Sequence, residues 1–480
     1  MKIDTDNLTV ASAMRHLRAG DFSARELTEA YLKNIEERDR DIHAYLEIFD
    51  DAIEFARAAD VKIKKGEAGV LAGIPMAVKD NMLVEGKYAT AASKILKNYR
   101  STYDATAVKK IKDAGAVMLG RTNMDEFAMG SSTESSAYGI TRNPRDESRV
   151  PGGSSGGSAA AVSMGGVLAA LGSDTGGSIR QPASFCGVVG LKPTYGSVSR
   201  HGLIAMASSL DQIGPLAKTV EDAELVFNVI KGFDRYDSTS FPEDMYHAKN
   251  AQVAAGKHTI GIPADFLSVG GIDAQVLESF NRSVGALKDA GNEIREIALP
   301  HAKHALAAYY IIMPAEVSAN LARFDGVRYG LYNSGADLAT DYASTRARGF
   351  GDEVRRRILL GTYVLSSGYY DSYYGTANIV RDMVASDFRD AFKIVDVIAV
   401  PTAPTFAFKI GEKNNNPLQM YLEDIFTVPA NIAGIPAISI PSGSIEINTK
   451  LIPIGMQFMA PHLREDILFA IGKDVEAVRS

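Results

Sequence analysis

The sequence contains no tryptophan and a single cysteine, Cys186, among its 480 residues. One cysteine excludes an internal disulfide and a multi-cysteine metal site, and it fits a reducing compartment. The sequence has no run of about 18 apolar residues, so it predicts no membrane-spanning helix. Its first ten residues, MKIDTDNLTV, lack the apolar core of a secretory signal. These absences predict a cytoplasmic protein.

Basic residues are fewer than acidic ones. The chain has 51 Lys and Arg against 58 Asp and Glu, a formal net charge of −7. This balance argues against a broad surface for nucleic-acid phosphates. The sequence also lacks the GxxxxGK[ST] loop that holds nucleotide phosphates. Its eight histidines are scattered, so we expect no metal site in this chain.

Helix and strand patterns alternate along the chain, which is typical of an α/β fold. Two helices are predicted near the start, one ending at Gly20 and one beginning with the capping-box pattern Ser23–Glu26. Short apolar segments predict strands, and longer patterned segments predict helices. The predicted strands are Ile74–Val78, Ala116–Leu119 and Val395–Val400, and the predicted helical segments are Ala105–Ala114, Ser158–Leu171 and most of residues 301–390.

Two glycine-rich turns carry the strongest chemical signal. They are Gly152–Gly157 (GGSSGG) and Gly172–Ser178 (GSDTGGS). Glycine permits close approach of another group to the backbone, and the serine hydroxyls offer a nucleophile. Ser178 is the better candidate nucleophile, because the preceding turn would aim N–H groups at a developing oxyanion. Gly/Ser clusters are usually surface loops, but this one contains Asp174 and is followed directly by Ile179, Arg180 and Gln181, which is unlike a flexible linker.

The residue that would accept the serine proton is less evident. His201 is the only histidine near these motifs, and its SRHG setting resembles a loop. Gly152-x-Ser154-x-Gly156 matches a nucleophile elbow but lacks the strand that should precede it. Lys79 ends the apolar run GIPMAV, where loss of solvent would favour its neutral form. An exposed lysine paired with Asp80 is the commoner arrangement for this pattern, so the residues alone leave the base open.

Lys79 and the two glycine-rich turns together resemble the amidase signature family. The resemblance implies an α/β fold with a large mixed central β-sheet covered by helices on both faces. It also implies amide hydrolysis by a Ser–cisSer–Lys triad. In that triad Ser178 is the nucleophile, Ser154 the proton relay after a cis peptide bond, and Lys79 the base. The backbone N–H groups of Thr175, Gly176 and Gly177 would form the oxyanion hole.

The resemblance spans essentially the whole chain, so we expect residues 1–480 to form a single amidase-signature domain. The expected parts are N-terminal helices (1–60), a signature core with the triad (61–230), a helical substrate-side region (301–390) and a C-terminal part of the core (391–480).

Three segments of the second half are similar to the glutamine-hydrolysing branch of the family, which works within tRNA-dependent amidotransferases. They are Tyr309–Gly330, Gly349–Tyr374 and Met420–Gly434. This similarity implies glutamine as the substrate. It also implies that Arg357 binds the α-carboxylate, Asp424 binds the α-ammonium and Tyr309 lines the pocket. Arg355 and Arg356 adjoin Arg357 and leave the choice among the three arginines open.

The same branch implies partners, the B and C subunits of the amidotransferase, and a division of labour among them. The chain would need no cofactor of its own, and ATP and Mg²⁺ would be used by the B subunit. The small C subunit would wrap the pair, and misacylated Glu-tRNA(Gln) or Asp-tRNA(Asn) would bind mainly through the partner. Two alternatives stay open: a stand-alone amidase acting on a small-molecule amide, and a non-catalytic scaffold. A scaffold would not need the three triad residues, and a stand-alone amidase would not need the pair Arg357 and Asp424.

Overall fold

A mixed β-sheet of eleven strands runs through the described part of the chain, with helices on both faces. The computed structural model describes residues 3–242, 245, 257–268, 271–414 and 416–479. The strands are β1 (Tyr45–Ile48), β2 (Pro75–Lys79), β3 (Val117–Thr122), β4 (Ala169–Asp174), β5 (Val189–Lys192), β6 (Gln212–Ala217), β7 (Thr259–Pro263), β8 (Glu293–Ile297), β9 (Val397–Pro401), β10 (Ala437–Ile447) and β11 (Lys450–Met459). Their order is β1-β3-β2-β4-β6-β5-β10-β11-β9-β7-β8. The predicted fold class is confirmed.

The helices differ widely in length, from four to nineteen residues. They are α1 (Val10–Ala19), α2 (Ala24–Ile42), α3 (Ala52–Lys65), α4 (Thr106–Asp113), α5 (Gly156–Ser163), α6 (Arg180–Cys186), α7 (Val220–Ile230), α8 (Ala264–Leu267), α9 (Ala274–Asp289), α10 (Ala305–Asn320), α11 (Leu338–Gly349), α12 (Asp352–Val364), α13 (Thr376–Ala391), α14 (Pro417–Leu422), α15 (Val428–Ile432) and α16 (Glu465–Arg479). No helix in the described ranges is long and apolar enough to cross a membrane.

The N-terminal helices begin and end where the sequence predicts. Gly20 ends α1 in the left-handed conformation, and Ser23 begins α2 by accepting the N–H of Glu26. The same region also contains β1, which the prediction of helices alone did not include. This strand is only four residues long and pairs with β3 at the edge of the sheet, so it has little sequence pattern of its own.

The predicted strands around Ile74–Val78 and Ala116–Leu119 are confirmed as β2 and β3. β2 also pairs in parallel with β4, with Met76 opposite Ala169. The carboxyl ends of parallel neighbours lie at the same edge of a sheet, where α/β proteins place their ligands. Lys79 at the end of β2 and the second glycine-rich turn after β4 therefore come together.

The prediction of one helix over Ser158–Leu171 is wrong in its second half. The helix α5 ends at Ser163, and the chain then enters β4 at Ala169. Every residue of β4 is buried. A strand buried on both faces reads as a continuous apolar run, which periodicity does not separate from a buried helix.

The region 301–390 is mostly helical, as predicted. Its helices are α10, α11, α12 and α13, and α10 packs against both α12 and α13. Tyr309 lies on α10 and Arg357 on α12, while Asp424 follows α14. The strand predicted at Val395–Val400 is observed as β9.

Candidate active site

Lys79 is completely buried at the carboxyl end of β2. Its Nζ atom lies 2.8 Å from Ser154 Oγ, 2.8 Å from Ser155 Oγ and 3.0 Å from Ser173 Oγ. Within the described ranges it forms no ion pair. Asp80 instead accepts a hydrogen bond from Arg121 at 2.6 Å. The structure therefore disfavours the exposed Lys–Asp pair and surrounds the amine with hydroxyl groups.

Burial lowers the pKa of Lys79 to about 7, because the ammonium form loses its hydration. The carboxylates of Asp125, Asp174 and Asp211 oppose this effect and raise the pKa, but none of them contacts the amine closely enough to form an ion pair. A neutral amine has a free lone pair that accepts a proton. At neutral pH the residue is therefore poised to act as a base.

Ser154, from the first glycine-rich turn, contacts Lys79. It is fully buried, and the peptide bond between Gly153 and Ser154 is cis. The N–H of Ser155 donates to the carbonyl oxygen of Ser178 at 3.1 Å, which ties the two turns together. Ser178 keeps 8% of its surface exposed, whereas Lys79 and Ser154 have none. Of the three triad candidates, Ser178 is thus the one that a substrate can reach.

A buried ion pair shapes the turn before Ser178. The carboxylate of Asp174 accepts the N–H of Gly177 at 2.9 Å and that of Ile179 at 3.1 Å. It also pairs with Arg180 at 3.0 Å. Burial alone would raise the pKa of Asp174, but the Arg180 guanidinium brings it down to about 2. A permanently charged carboxylate thus holds the backbone of the turn.

This arrangement bears on the predicted oxyanion hole. The N–H of Gly177 serves the turn itself, since it donates to Asp174. The N–H groups of Thr175 and Gly176 become the leading candidates for oxyanion donors, and their role stays a prediction. The hydroxyl of Thr175 donates to Asp211 at 2.8 Å, which fixes the first residue of the turn.

Of the three consecutive arginines, only Arg357 points inward. Its side chain is 5% exposed, and its Nε donates to Glu353 at 2.7 Å. The side chains of Arg355 and Arg356 are 46% and 50% exposed; Arg355 pairs with Asp352, and Arg356 pairs with Glu353, the carboxylate that Arg357 also contacts. The Arg357 guanidinium lies 5.5 Å from the ring centroids of Tyr310 and Tyr421. These rings stack on each other at 4.1 Å.

Asp424 and Tyr309 are both buried near this arginine. The hydroxyl of Ser131 donates to Asp424 at 3.0 Å, and burial raises the pKa of this carboxyl to about 8. Tyr309 packs against the catalytic turn, since a Cβ atom at Gly176 would lie 2.7 Å from its Cζ. Thr427 donates to the Gly176 carbonyl at 2.6 Å. Tyr309 therefore lies directly against the turn that carries Ser178.

A cavity of about 360 Å³ lies beside Arg357, within the usual range of about 300–1,000 Å³ for small-molecule sites. Its walls include Ser131, Arg357 and Tyr421. No group of three or more His, Cys, Asp or Glu side chains in the described ranges could hold a metal ion. The cavity is thus lined by hydrogen-bonding and charged groups suited to an organic substrate.

The sequence did not single out several residues that the structure brings to the site. Ser155 and Ser173 contact Lys79, and both lie within the glycine-rich turns, so the motif itself carried a signal for them. Tyr421 lies in the segment Met420–Gly434, whose similarity did not single it out, and Ser131 had no signal, because only the folded chain brings its hydroxyl to Asp424.

His201 is not placed to serve as the base. Its ring stacks between Tyr103 at 5.0 Å and Tyr236 at 4.7 Å. One ring nitrogen lies 3.3 Å from the hydroxyl of Thr106. None of these contacts involves the glycine-rich turns, so the geometry favours Lys79.

Residues 26–469 match the family profile described as Amidase. The chain belongs to the amidase family. Two similar curated proteins are both named as the A subunit of glutamyl-tRNA(Gln) amidotransferase. The one from Gloeothece citriformis is 52% identical over 94% of this chain and 93% of its own length. The one from Syntrophus aciditrophicus is 50% identical over 98% and 96%.

Solved structures show the same likeness. The A subunit of glutamyl-tRNA(Gln) amidotransferase from Thermotoga maritima is 41% identical, with a TM-score of 0.80 over 99% of this chain and 96% of that one. A peptide amidase from Stenotrophomonas maltophilia is 29% identical, with a TM-score of 0.79 over 98% and 96%. The fold is thus shared by relatives that are named for different amides.

The pH dependence of amide hydrolysis tests the role of Lys79. Because only the neutral amine accepts a proton, kcat/KM for an uncharged amide should rise with pH through a single ionisation near the pKa of about 7. Lys192 offers a matched control, because burial also lowers its pKa to about 7. Rates measured between pH 5.5 and 9 should show the same midpoint in Lys192→Met. A midpoint that disappears in that variant would assign the ionisation to Lys192 instead.

Proposed function

We propose that this chain is the glutaminase subunit of a tRNA-dependent amidotransferase. It hydrolyses glutamine through an acyl-serine intermediate and supplies ammonia for the conversion of Glu-tRNA(Gln) to Gln-tRNA(Gln), or of Asp-tRNA(Asn) to Asn-tRNA(Asn). The proposal is carried by the likeness to proteins named as the A subunit of glutamyl-tRNA(Gln) amidotransferase. Two of them are 50% and 52% identical to this chain over 98% and 94% of its length. The buried guanidinium of Arg357 and the buried carboxyl group of Asp424 support it from the side of the site.

The triad performs the first half of the reaction. Neutral Lys79 takes the proton of Ser154, which takes that of Ser178, and Ser178 Oγ attacks the side-chain amide carbon of glutamine. Backbone N–H groups of the turn stabilise the tetrahedral oxyanion, and one such donor commonly contributes about 3–4 kcal/mol. The 2.8 Å distance from Lys79 Nζ to Ser154 Oγ supports direct transfer of the first proton.

Collapse of the tetrahedral intermediate completes the transfer. Ser154 returns a proton to the departing nitrogen and the C–N bond breaks. Ammonia departs, and a glutamyl ester remains on Ser178. Water then attacks the ester, with its proton taken through Ser154 to Lys79. The ester C–O bond then breaks and releases glutamate, the proton passes back from Lys79 through Ser154 to Ser178 Oγ, and the triad returns to its starting state.

The selection of glutamine over other amides rests on its α-groups. Arg357 would bind the α-carboxylate, since a guanidinium matches a carboxylate with two parallel hydrogen bonds. Asp424 would bind the α-ammonium. Burial raises the pKa of its carboxyl to about 8, and the arriving positive charge would favour its ionised form. Tyr309 would shape the space between them.

The second half of the overall reaction would belong to partners. Activation of the tRNA-borne carboxylate takes ATP and Mg²⁺, which we assign to the B subunit, with the C subunit wrapping the pair. The absence of a P-loop pattern and the net charge of −7 support this division, because they leave the chain poorly equipped to bind ATP or tRNA alone. The complex would work in the cytoplasm.

A stand-alone amidase is the second candidate. The likeness to a peptide amidase favours it, since the fold also occurs in a protein of that name. Such an enzyme would not need a buried arginine to bind an α-carboxylate and a buried aspartate to bind an α-ammonium group. Comparison of glutamine with uncharged primary amides as substrates distinguishes the two functions.

Arg357→Ala should raise the KM for glutamine about thirtyfold or more, because loss of a buried charged partner costs about 2–5 kcal/mol. Turnover of an uncharged amide should change little, since the triad is untouched. Arg355→Ala is the matched control, because its side chain is 46% exposed and pairs with Asp352, and Arg356→Ala is compared as well, because Arg356 also lines the cavity. Steady-state kinetics of the three variants on both substrates make the comparison. A large KM effect in Arg356→Ala alone would move the carboxylate site by one residue.

Ser178→Ala should abolish glutamine-dependent amidation of Glu-tRNA(Gln) by the assembled complex, because only Oγ forms the acyl ester. Amidation should continue when an ammonium salt is supplied, since the triad would be needed only to release ammonia. The measurement is ATP-dependent formation of Gln-tRNA(Gln) with each nitrogen donor, in complexes of verified composition. Loss of activity with both donors would contradict the proposed division of labour.

A further inference from the structure

Glu126 is a buried carboxylate beside the candidate active site that the reaction above does not use. It is 2% exposed and forms part of the cavity wall. One carboxylate oxygen accepts the N–H of Gly351 at 2.8 Å. The other accepts the hydroxyl of Ser93. Both oxygens therefore have a donor from a distant part of the chain.

The contact with Gly351 fixes the start of the helix that carries Arg357. Gly351 is the N-cap residue of α12, and no side chain caps this helix in the usual way. A carboxylate at this end is favoured by the partial positive charge of a helix N-terminus. The packing is also tight, since a Cβ atom at residue 351 would lie 2.3 Å from Glu126 Oε2. Glu126 thus binds the N–H of the N-cap residue and so helps to set where the helix begins.

The first turn of α12 connects the start of the helix to the guanidinium of Arg357. Glu353 in that turn accepts the Nε of Arg357 at 2.7 Å. Tyr421 donates its hydroxyl to the same carboxylate oxygen at 2.8 Å. Arg357 lies six residues after Gly351, or about 9 Å along the helix axis. A displacement of the helix start therefore moves Glu353 and Arg357 together.

Asp125, the neighbour of Glu126, is tied to the catalytic side. Its N–H donates to the carbonyl oxygen of Ser154 at 3.3 Å. Its carboxylate accepts the N–H of Thr133 at 2.9 Å and the hydroxyl of Ser135 at 2.8 Å. Two consecutive residues thus hold the proton relay on one side and the start of α12 on the other.

We propose that Glu126 is a positioning residue that sets the distance between Arg357 and the serines of the triad, and so matches the site to the length of glutamine. The proposal rests on the proposed function, because it takes Arg357 as the residue that binds the α-carboxylate. Misplacement of a binding group by about 1 Å weakens a substrate interaction severely. The effect should fall on glutamine and not on an amide that lacks α-groups.

The test compares substitutions of Glu126 in the full chain, assembled with its partners where activity requires them. Glu126→Ala should raise the glutamine KM about tenfold, leave kcat within about threefold and leave kcat/KM for an uncharged amide within about threefold. Glu126→Gln should raise KM less, because its amide oxygen still accepts the N–H of Gly351. Glu465→Gln is the matched control, since Glu465 is a buried glutamate that accepts the N–H of Thr194, outside the proposed site.

A double-mutant cycle identifies the contact. Gly351→Ala should also raise the glutamine KM, because the new methyl group collides with the Glu126 carboxylate. Glu126→Ala removes that carboxylate, so the double variant should show a smaller rise than the product of the two single effects. Effects that multiply would overturn the proposal, and so would equal losses on both substrates. Wild-type protein that hydrolyses only the uncharged amide would overturn the proposed function together with this inference.

Discussion

Lys79 is held out of water without a carboxylate to pair with it, and the remaining site chemistry follows from that constraint. The parallel pairing of β2 with β4 brings the lysine to the same sheet edge as the turn before Ser178. There its amine meets the hydroxyl groups of Ser154, Ser155 and Ser173. Hydroxyls satisfy hydrogen bonds but do not neutralise a charge. The ammonium form therefore keeps most of its desolvation penalty, and the neutral amine becomes accessible near pH 7.

The carboxylate of Asp174 shows how strongly an ion-pair partner determines whether a buried group keeps its charge. Asp174 is as deeply buried as Lys79, yet its pKa falls to about 2 while that of Lys79 falls to about 7. The difference lies in Arg180, which pairs with Asp174 at 3.0 Å. One group keeps its charge and holds the backbone of the turn, and the other is driven toward its neutral form and takes the proton. Both consequences serve the same serine.

Local sequence signals predicted much of the fold. The capping box at Ser23, the strands β2 and β3 and the helical region after residue 300 were all predicted from residues close in sequence. The prediction failed at β4, where an all-buried strand has no alternation, and at β1, a short edge strand. In both places long-range pairing rather than local pattern decides the structure.

Some residues of the candidate site could also be predicted from local sequence, and others could not. Residues within the glycine-rich motifs were predictable, because chemistry and turn geometry are encoded together there. The choice among three consecutive arginines was not, since successive helical residues point about 100° apart and only the fold decides which one faces inward. Glu126 and Ser131 lie close together in the chain after β3, whereas Tyr421 comes from α14, and all three line the same cavity. No local pattern marks Glu126 or Ser131, and the similarity of Met420–Gly434 did not single out Tyr421.

Direct titration of the Lys79 side chain tests most directly whether this residue acts as a neutral base. Protein labelled with ¹³C at lysine Cε gives a resonance for each lysine, and the resonance missing from Lys79→Arg identifies this one. We expect a titration midpoint near the lowered pKa of about 7. A midpoint near the ordinary lysine value of about 10.4 would show that the amine stays protonated at neutral pH, and it would contradict the mechanism.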